Sequence, residues 1–476
     1  MRWKYNLLVV SIFFACNILH AQEGASITPG NELPGTQMDS SRLFVIRDII
    51  ISGNKKTKPY IIERELLFKR GDSINLSDLV SRFERSRELV MNTALFHEVI
   101  VSLKRFEGHA VDVSIEVRER WYLFPIPYVK PVDRNLSEWA KQGFGFDRLN
   151  YGLKLNYNNF TGRNDKLKFW LITGYTKQIQ FQYELPYVDK ALKNGIRFGF
   201  AYRANKEVNY GTSNNEQLFY SDEFRNVTLS RQSSGFIDWT YRPAIKTRNT
   251  FRIAFVSQQV DTSITNLNPK YFSNGRTKLS FPEISYKVEY NNLDYTPYPQ
   301  KGVSGEAGIL KRGFGKEFNM WQLSAKGSKN GFLAPKLSYS VQAAGTLRLP
   351  LEQPFINQQL FGYGDFYLRG LEDYVIDGVG AMLLKNTLRR QIFRFYLPTP
   401  SRSHGRVPFT IFLKTFADAG YAYNKHAVNN PLGNRMLYTG GFGIDLLTFY
   451  DLSFKIEYGF NQLGQSGFNF HFKNDF

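Results

Sequence analysis

The chain has one cysteine, Cys16, only six histidines, and no apolar run beyond its first residues that is long enough to cross a bilayer as a helix. A single thiol excludes a framework of internal disulfides. The five histidines beyond the N-terminal segment are His97, His109, His404, His426 and His471. None has a metal-ligand spacing or a Gly-x-Ser-x-Gly context, so neither enzyme chemistry nor a metal or other cofactor is expected. His404, in PSRSHGRV, reads as an exposed loop residue. A spanning helix needs roughly 18 to 20 continuous apolar residues. Without one, a membrane is crossed only by a β-barrel.

Acidic residues are also scarce: 42 Asp and Glu stand against 61 Lys and Arg, a formal net charge of +19. Residues 22–120 carry fifteen charges of each sign, so nearly all the surplus lies in residues 121–476. That asymmetry divides the chain in two. The basic residues are scattered instead of forming a patch with stacking aromatics, which argues against nucleic acid and for anionic lipid or polysaccharide as the partner of this charge. The opening MRWKYNLLVVSIFFACNILHAQ has a basic start, an apolar run over Leu7–Ala15 and a small-residue exit at Ala21. It reads as a secretory signal peptide over 1–21. The residues before Cys16 suit a lipoprotein signal poorly. A polar linker over 22–42 follows.

Residues 43–120 read as a small folded unit. FVIRDIIISGN is a strand ending in a Gly53-Asn54 turn, and Thr57 and Pro59 open a short helix through YIIERELLF. Asn75, with Asp78 three residues on, opens a second helix whose Leu76, Leu79, Val80, Phe83 and Val90 fall on one face. Two alternating strands close the unit, the second carrying Val111, Val113, Ile115 and Val117. The order β-α-α-β-β, with IIISGNKKT, IIERELLFKRGD, ALFHEVIVSL and VDVSIEVRER at its strand-turn, helix and hairpin positions, resembles a POTRA (polypeptide-transport-associated) domain. Such a domain is expected to offer a sheet edge to an extended client, here the strand Val111–Val117. A spacer or a dock for another protein is the alternative role.

From Tyr151 onward one pattern repeats. Tyr151, Leu153, Leu155 and Tyr157 alternate with polar or small residues, as do Ile179 to Leu185, Ile196 to Tyr202 and Leu452 to Phe460. An apolar side rich in Tyr and Phe opposite a polar side suits a strand with lipid on one face and water on the other. A soluble sandwich or propeller also alternates. The signal peptide, the aromatic content of 16% and the number of runs favour the membrane barrel. At roughly 22 residues per strand with its turns, residues 121–476 hold about sixteen strands. A linker over 121–142 and an outer-membrane barrel over 143–476 are expected.

One long stretch breaks the alternation. Between Glu352 and Gly378 the chain reads FGYGDFYLRGLEDYVIDGVG and its flanks, too polar and glycine-rich for a strand, and fits a loop folded back into the barrel. YLRGLEDY resembles the inward loop motif of the BamA/TamA (bacterial surface antigen) family of outer-membrane assembly factors. NFTGRN, NNLDYTPYPQKG, FADAGY and GGFGIDLLTFYDLSFKIEYGF fall at matching places. The motif maps onto Leu368, Arg369, Gly370 and Leu371, the last replacing an aromatic. The resemblance implies that Arg369 reaches an acidic group on the inner wall, and Asp418 has the inward parity for it, although Phe412 and Phe416 share that parity. LysAsnThrLeuArgArg at 385–390 lacks the second acid common in the family, leaving Glu372, Asp373 or Asp377 to supply it.

The reading is therefore a β-rich protein: one POTRA domain before a barrel of about sixteen antiparallel strands, in the outer membrane of a double-membraned bacterium, with the POTRA domain in the periplasm. Insertion or export of client polypeptides by strand pairing is expected, with lipid including anionic glycolipid and periplasmic or lipoprotein accessory subunits as partners. A secretion pore dedicated to one passenger, and a structural barrel or porin, are the alternatives.

Overall fold

The computed structural model describes residues 43–131, 149–222, 227–315, 318–364, 366–398, 406–425 and 430–473. The signal peptide and linker read over 1–42, and His404 and His426, lie outside these residues.

The N-terminal domain comprises β1 (Leu43–Ser52), α1 (Pro59–Glu63), β2 (Ser73–Asn75), α2 (Leu76–Met91), β3 (Phe96–Glu107) and β4 (Ala110–Glu119). Its sheet runs β2-β1-β4-β3, with β1 parallel to β4 and the other pairs antiparallel. The apolar face packs Ile46, Val111, Val113 and Ile115 against Ile61 and Ile62 of α1 and Leu79 and Val90 of α2. The first helix is shorter than its sequence pattern suggests, and Val80 of the second is exposed instead of joining the core.

The structure overturns one assignment here. Val111, Val113, Ile115 and Val117 are not an edge for a client strand: β4 is central, laddered on both sides, and these four side chains are buried. Alternation made the strand visible, but a one-sided pattern does not say which strand has two neighbours. Even the polar positions of β4 are covered, with Asp112 and Ser114 buried. The edge on this side of the sheet is β3.

Sixteen antiparallel strands form the second sheet. They begin with β5 (Leu123–Pro131), β6 (Leu149–Asn158), β7 (Lys166–Gly174), β8 (Thr176–Leu185) and β9 (Asn194–Asn205). A hairpin of β10 (Glu207–Ser213) and β11 (Glu216–Ser221) stands apart, and the sheet resumes with β12 (Ser230–Ala244) and β13 (Thr247–Val260). The short helix α3 (Thr262–Leu267) precedes β14 (Lys278–Leu293), β15 (Gly302–Arg312), β16 (Met320–Ala334) and β17 (Leu337–Leu349). Two short strands, β18 (Gln359–Phe361) and β19 (Ile376–Asp377), pair with each other outside the sheet. The last five are β20 (Gly380–Pro398), β21 (Arg406–Tyr423), β22 (Met436–Leu447), β23 (Ser453–Asn461) and β24 (Ser466–Lys473).

The first strand corrects a boundary. Leu123–Pro131 was expected to be linker, yet β5 ladders along its whole length with β6. Pro125 and Pro127 hide it in the sequence, because proline is foreign to a strand with two neighbours. An edge strand tolerates it. The β5–β6 ladder needs donors from the other parity, so the proline nitrogens point to the unpartnered side.

Alternation sorts the barrel wall. On β12, Ile237 and Trp239 are exposed outward, while the fully buried Asp238 between them faces in and is held by Arg197 of β9 and Arg252 of β13. Lys287, Glu306 and Lys326 form another inward group across β14, β15 and β16. Aromatic and aliphatic side chains outside, charge pairs inside: this is a barrel with a lipid-facing wall and a polar lumen. No helix among the described residues is long and apolar enough to cross a membrane.

Candidate functional site: the inward segment and the barrel seam

The thirty residues between β17 and β20 would be costly as a free loop and instead form a folded plug element. Leu360, Phe361, Leu368, Leu371 and Ile376 pack against Ala381 and Leu383 of β20, Ala422 of β21 and Leu437 of β22. These apolar side chains face the barrel interior, where the segment removes them from water. Its far end is tied by the β10–β11 hairpin, whose buried Asn215 donates to the Val375 carbonyl and accepts from the Val375 and Leu432 amides by its own carbonyl and side chain respectively.

At the centre lies Arg369. Its Nε donates to Asp418 Oδ2 at 2.8 Å and its Nη2 to Asp418 Oδ1, a fork-on-fork pair, while its backbone N–H donates to Oδ2 at 3.3 Å. The remaining donors reach Thr387 Oγ1 at 3.0 Å and the Asn386 carbonyl at 3.2 Å. The guanidinium lies 4.2 Å from the centroid of Phe416, one of the two inward aromatics. That ring is a platform for the cation, so its inward parity is compatible with an inward Asp418. The other, Phe412, is fully buried against Tyr298, 4.8 Å away.

Two of the candidate second acids are engaged elsewhere. Glu372 Oε2 accepts the Gly370 amide at 2.6 Å, and Asp377 accepts from Tyr363 at 2.6 Å. The guanidinium donors that do not reach Asp418 go to the Thr387 hydroxyl and the Asn386 carbonyl. Leu368 and Leu371 are both buried in the apolar cluster, so an aliphatic side chain fills the aromatic position of the motif.

Gly370 explains the rest of the motif. Its φ of +84° lies in the left-handed region, and its Cα sits so close to β23 that a Cβ built on Gly459 would meet it at 2.9 Å. Asn461 Nδ2 then donates to the Gly370 carbonyl at 2.8 Å. Arg369 and Gly370 thereby fasten the segment to β20 and β21 on one side and β23 on the other.

The two end strands of the sheet, β5 and β24, share no ladder among the described residues. The start of β5 is tied at one end of the barrel to the turn between β22 and β23. Arg120, just before β5, donates to Asp451 Oδ2 at 2.6 Å and Oδ1 at 3.1 Å, and to the Phe96 carbonyl at 2.8 Å. Tyr295, from the β14–β15 turn, donates to the same carboxylate. Burial opposes the Arg120 charge, but the Asp451 hydrogen bonds outweigh it and hold the guanidinium pKa above its usual value. Burial, with the Asp451 charge, pushes the Tyr295 phenol well up. Tyr450 adds a ring contact with Phe124 of β5 at 5.6 Å and accepts the Trp121 amide at 3.2 Å.

The N-terminal domain docks on this end. Glu65 pairs with Arg242 at the end of β12, Asn159 after β6 donates to Thr57 at 2.9 Å, and Asn92 after α2 donates to the Leu293 carbonyl at 3.2 Å. The β14–β15 turn continues inward, where Tyr298 donates to Asp445 of β22 at 2.8 Å and lies 4.8 Å from the Arg389 guanidinium. Sequence reasoning marked this turn by resemblance only; Tyr298, Asp445 and Asp451 were missed because Tyr298 and Asp445 lie 147 residues apart in the chain and Arg120 and Asp451 331 apart.

Residues 44–120 match the POTRA family described as surface antigen variable number repeat. An 81-residue stretch is 32% identical to outer membrane protein assembly factor BamA of Neorickettsia risticii (strain Illinois), covering 17% of this chain and 10% of that protein. In fold, the chain is similar to BamA from Haemophilus ducreyi lacking POTRA domains 1–3, with a TM-score of 0.50 and 14% identity over 90% of this chain and 84% of the other. It is similar also to CdiB from Escherichia coli, with a TM-score of 0.51 and 10% identity over 94% and 92%. A POTRA domain docked on a sixteen-stranded barrel with an inward arginine segment defines a POTRA–barrel protein. In this architecture the chain is similar to BamA-type surface antigen proteins, with one POTRA domain among its described residues.

Proposed function

We propose that the protein inserts or exports other polypeptides at the outer membrane, offering a client strand the unpaired seam between β5 and β24. The observation that carries this reading is the seam itself. A strand edge facing lipid must find hydrogen-bond partners, because no water is present to satisfy it. Among the described residues β24 has a ladder partner on one side only, and Pro125 and Pro127 remove two donors from the free side of β5. The native seam therefore closes poorly. A client strand with a full set of donors and acceptors pairs better with β24 than β5 does.

The POTRA domain, in the periplasm, receives the client first, along the edge of β3, which ladders only with β4. The mechanism involves no bond chemistry: it lowers the cost of bringing an unpaired strand edge into the membrane. The basic surplus of residues 121–476 suits anionic glycolipid around the barrel. A photo-crosslinking residue at Phe470 on β24, and another at Val129 on β5, test the proposal in cells. Crosslinks to several barrel precursors support general assembly, and crosslinks to one secreted polypeptide support a dedicated exporter. Crosslinks to lipid alone at both positions overturn the proposal and leave a structural barrel.

A further inference from the structure

Three side chains from separate parts of the chain point their unsatisfied atoms at one spot beside the seam. Glu372 comes from the inward segment, Glu457 from β23 and His471 from β24. Each carboxylate has one oxygen already engaged. Glu372 Oε2 accepts the Gly370 amide, and Glu457 Oε1 faces the Lys414 ammonium at 2.6 Å. The other oxygens, Glu372 Oε1 and Glu457 Oε2, are buried without a hydrogen bond among the described residues, as is His471 Nε2. Nε2 stands 3.2 Å from the Glu457 oxygen and 3.5 Å from the Glu372 oxygen, and all three atoms lie within 4.8 Å of one another. The Glu457 side chain is 3% exposed.

Two carboxylate oxygens and an imidazole nitrogen cannot be left facing each other across a buried gap. A proton on Nε2 is one remedy, but a single N–H is directed at one acceptor and leaves the other orphaned. A cation with several ligand positions satisfies all three atoms. Donors bound at about 2.0 to 2.2 Å in tetrahedral array lie roughly 3.3 to 3.5 Å apart, which both distances from Nε2 already match, and the two carboxylate oxygens lie within 4.8 Å of each other. One imidazole with two carboxylates suits a borderline divalent ion, and the polar lumen supplies water for the fourth position.

We propose that Glu372, Glu457 and His471 form a binding site for a divalent transition-metal ion of the zinc type, which staples the inward segment to the last two barrel strands. The neighbours support such a role. Glu457 pairs in the ladder with Asn469, and His471 with Lys455, so the two strand ligands are diagonal neighbours on the lumen face. Tyr367 stacks on the His471 ring at 5.7 Å and fixes its plane. Lys414, shared between Glu457 and Asp445, orients the Glu457 carboxylate so that Oε2 is presented. Because β24 is the seam strand, the ion holds the seam edge to the plug element. The site stands on its own donor geometry and does not depend on which client the seam receives.

The test is calorimetric titration of zinc into the purified, folded full-length chain after chelator treatment. One ion per chain is expected to bind, and Glu372→Gln to weaken binding by about tenfold or more. Glu372 lies outside the wall, so this variant is expected to keep the wild-type barrel, checked by comparing gel mobility before and after boiling with that of the wild type. His471→Gln is expected to weaken binding similarly. X-ray absorption of the bound ion should show one nitrogen and at least two oxygens in its nearest shell. Absence of zinc binding by the wild type, which leaves a protonated imidazole bridge as the explanation, overturns the proposal; so does unchanged affinity in both variants.

Discussion

Arg369 of the inward segment and Asp418 of β21 meet as a forked ion pair, with the Asp418 side chain fully buried and the Arg369 side chain 10% exposed. Removing one partner of such a pair leaves a buried charge without its counter-ion, which typically costs about 3 to 5 kcal/mol. The barrel wall is held by sixteen strands and does not depend on this contact. Arg369→Ala is therefore expected to assemble, with the inward segment loosened and pore conductance in planar bilayers raised. Asp418→Ala should give the same change, and the double variant should be less than additive. Full additivity would show that the pair carries no coupling.

The approach of Gly370 to Gly459 gives a second, independent handle on the same segment. A methyl at Gly459 meets the Gly370 Cα at 2.9 Å and its nitrogen at 3.2 Å, both backbone atoms that cannot swing away. Gly459→Ala is expected to push the segment off β23 at a cost of about 1 to 3 kcal/mol. Gly464→Ala is the control: it has positive φ but nothing within 4 Å, so it carries the conformational cost alone. Protease protection of residues 366–378 should fall in the first variant and hold in the second.

The strands and the inward segment were legible because their signals are local. Period-two alternation is written within ten residues, and a long polar, glycine-rich break needs no partner to be seen. Arg369 and Asp418 came from a motif and a parity argument. Three things were illegible for the same physical reason, that neighbours across a sheet are remote in sequence. Alternation could not reveal that β4 is central. Pro125 and Pro127 looked like linker residues until β5 was seen to be an end strand. Glu372, Glu457 and His471 have no ligand spacing along the chain because three separate elements bring them together; the expectation that no metal is held rested on that spacing alone.

Asp112 of β4 provides a pH dependence. Its carboxylate accepts from Arg47 Nε at 2.8 Å and Nη2 at 2.6 Å, and those hydrogen bonds hold its pKa below the usual aspartate value. A carboxylate whose folded pKa is depressed stabilises the fold above its unfolded pKa, about 3.9, and the contribution is lost as pH falls through the folded value. Hydrogen exchange of the β1 and β4 amides in the full chain should therefore quicken at about pH 3 relative to neutral pH beyond the intrinsic pH effect. Asp112→Asn should quicken it already at neutral pH and flatten the difference. An unchanged pH profile in the variant would assign the effect to another group.

The clasp of Arg120 and Asp451 makes the strongest prediction about how the POTRA domain is held. Arg120 ends the domain, and its carboxylate partner belongs to the turn between β22 and β23, with Tyr295 sharing that partner from a third turn. Both ends of the pair are under a tenth exposed, so Asp451→Asn strands a buried guanidinium, again at about 3 to 5 kcal/mol. The loss falls on the junction and not on the barrel. Trypsin is the natural probe, because it cuts after arginine and the Arg120 site is shielded while the clasp holds. The variant is expected to be cut at Arg120, releasing the domain, while the barrel migrates as the wild-type barrel does in gels before and after boiling. Tyr295→Phe removes one neutral donor and should have a smaller effect, about 1 kcal/mol. A double change of Arg120→Leu and Asp451→Leu removes both charges together and should disturb docking less than Asp451→Asn does, since no buried charge is left alone. Docking can be read in each case by crosslinking between Asn92 and the β14–β15 turn, which does not depend on the arginine as a cleavage site. Wild-type cleavage and crosslinking in Asp451→Asn would mean that the other contacts of the domain, at Glu65–Arg242 and Thr57–Asn159, suffice to hold it.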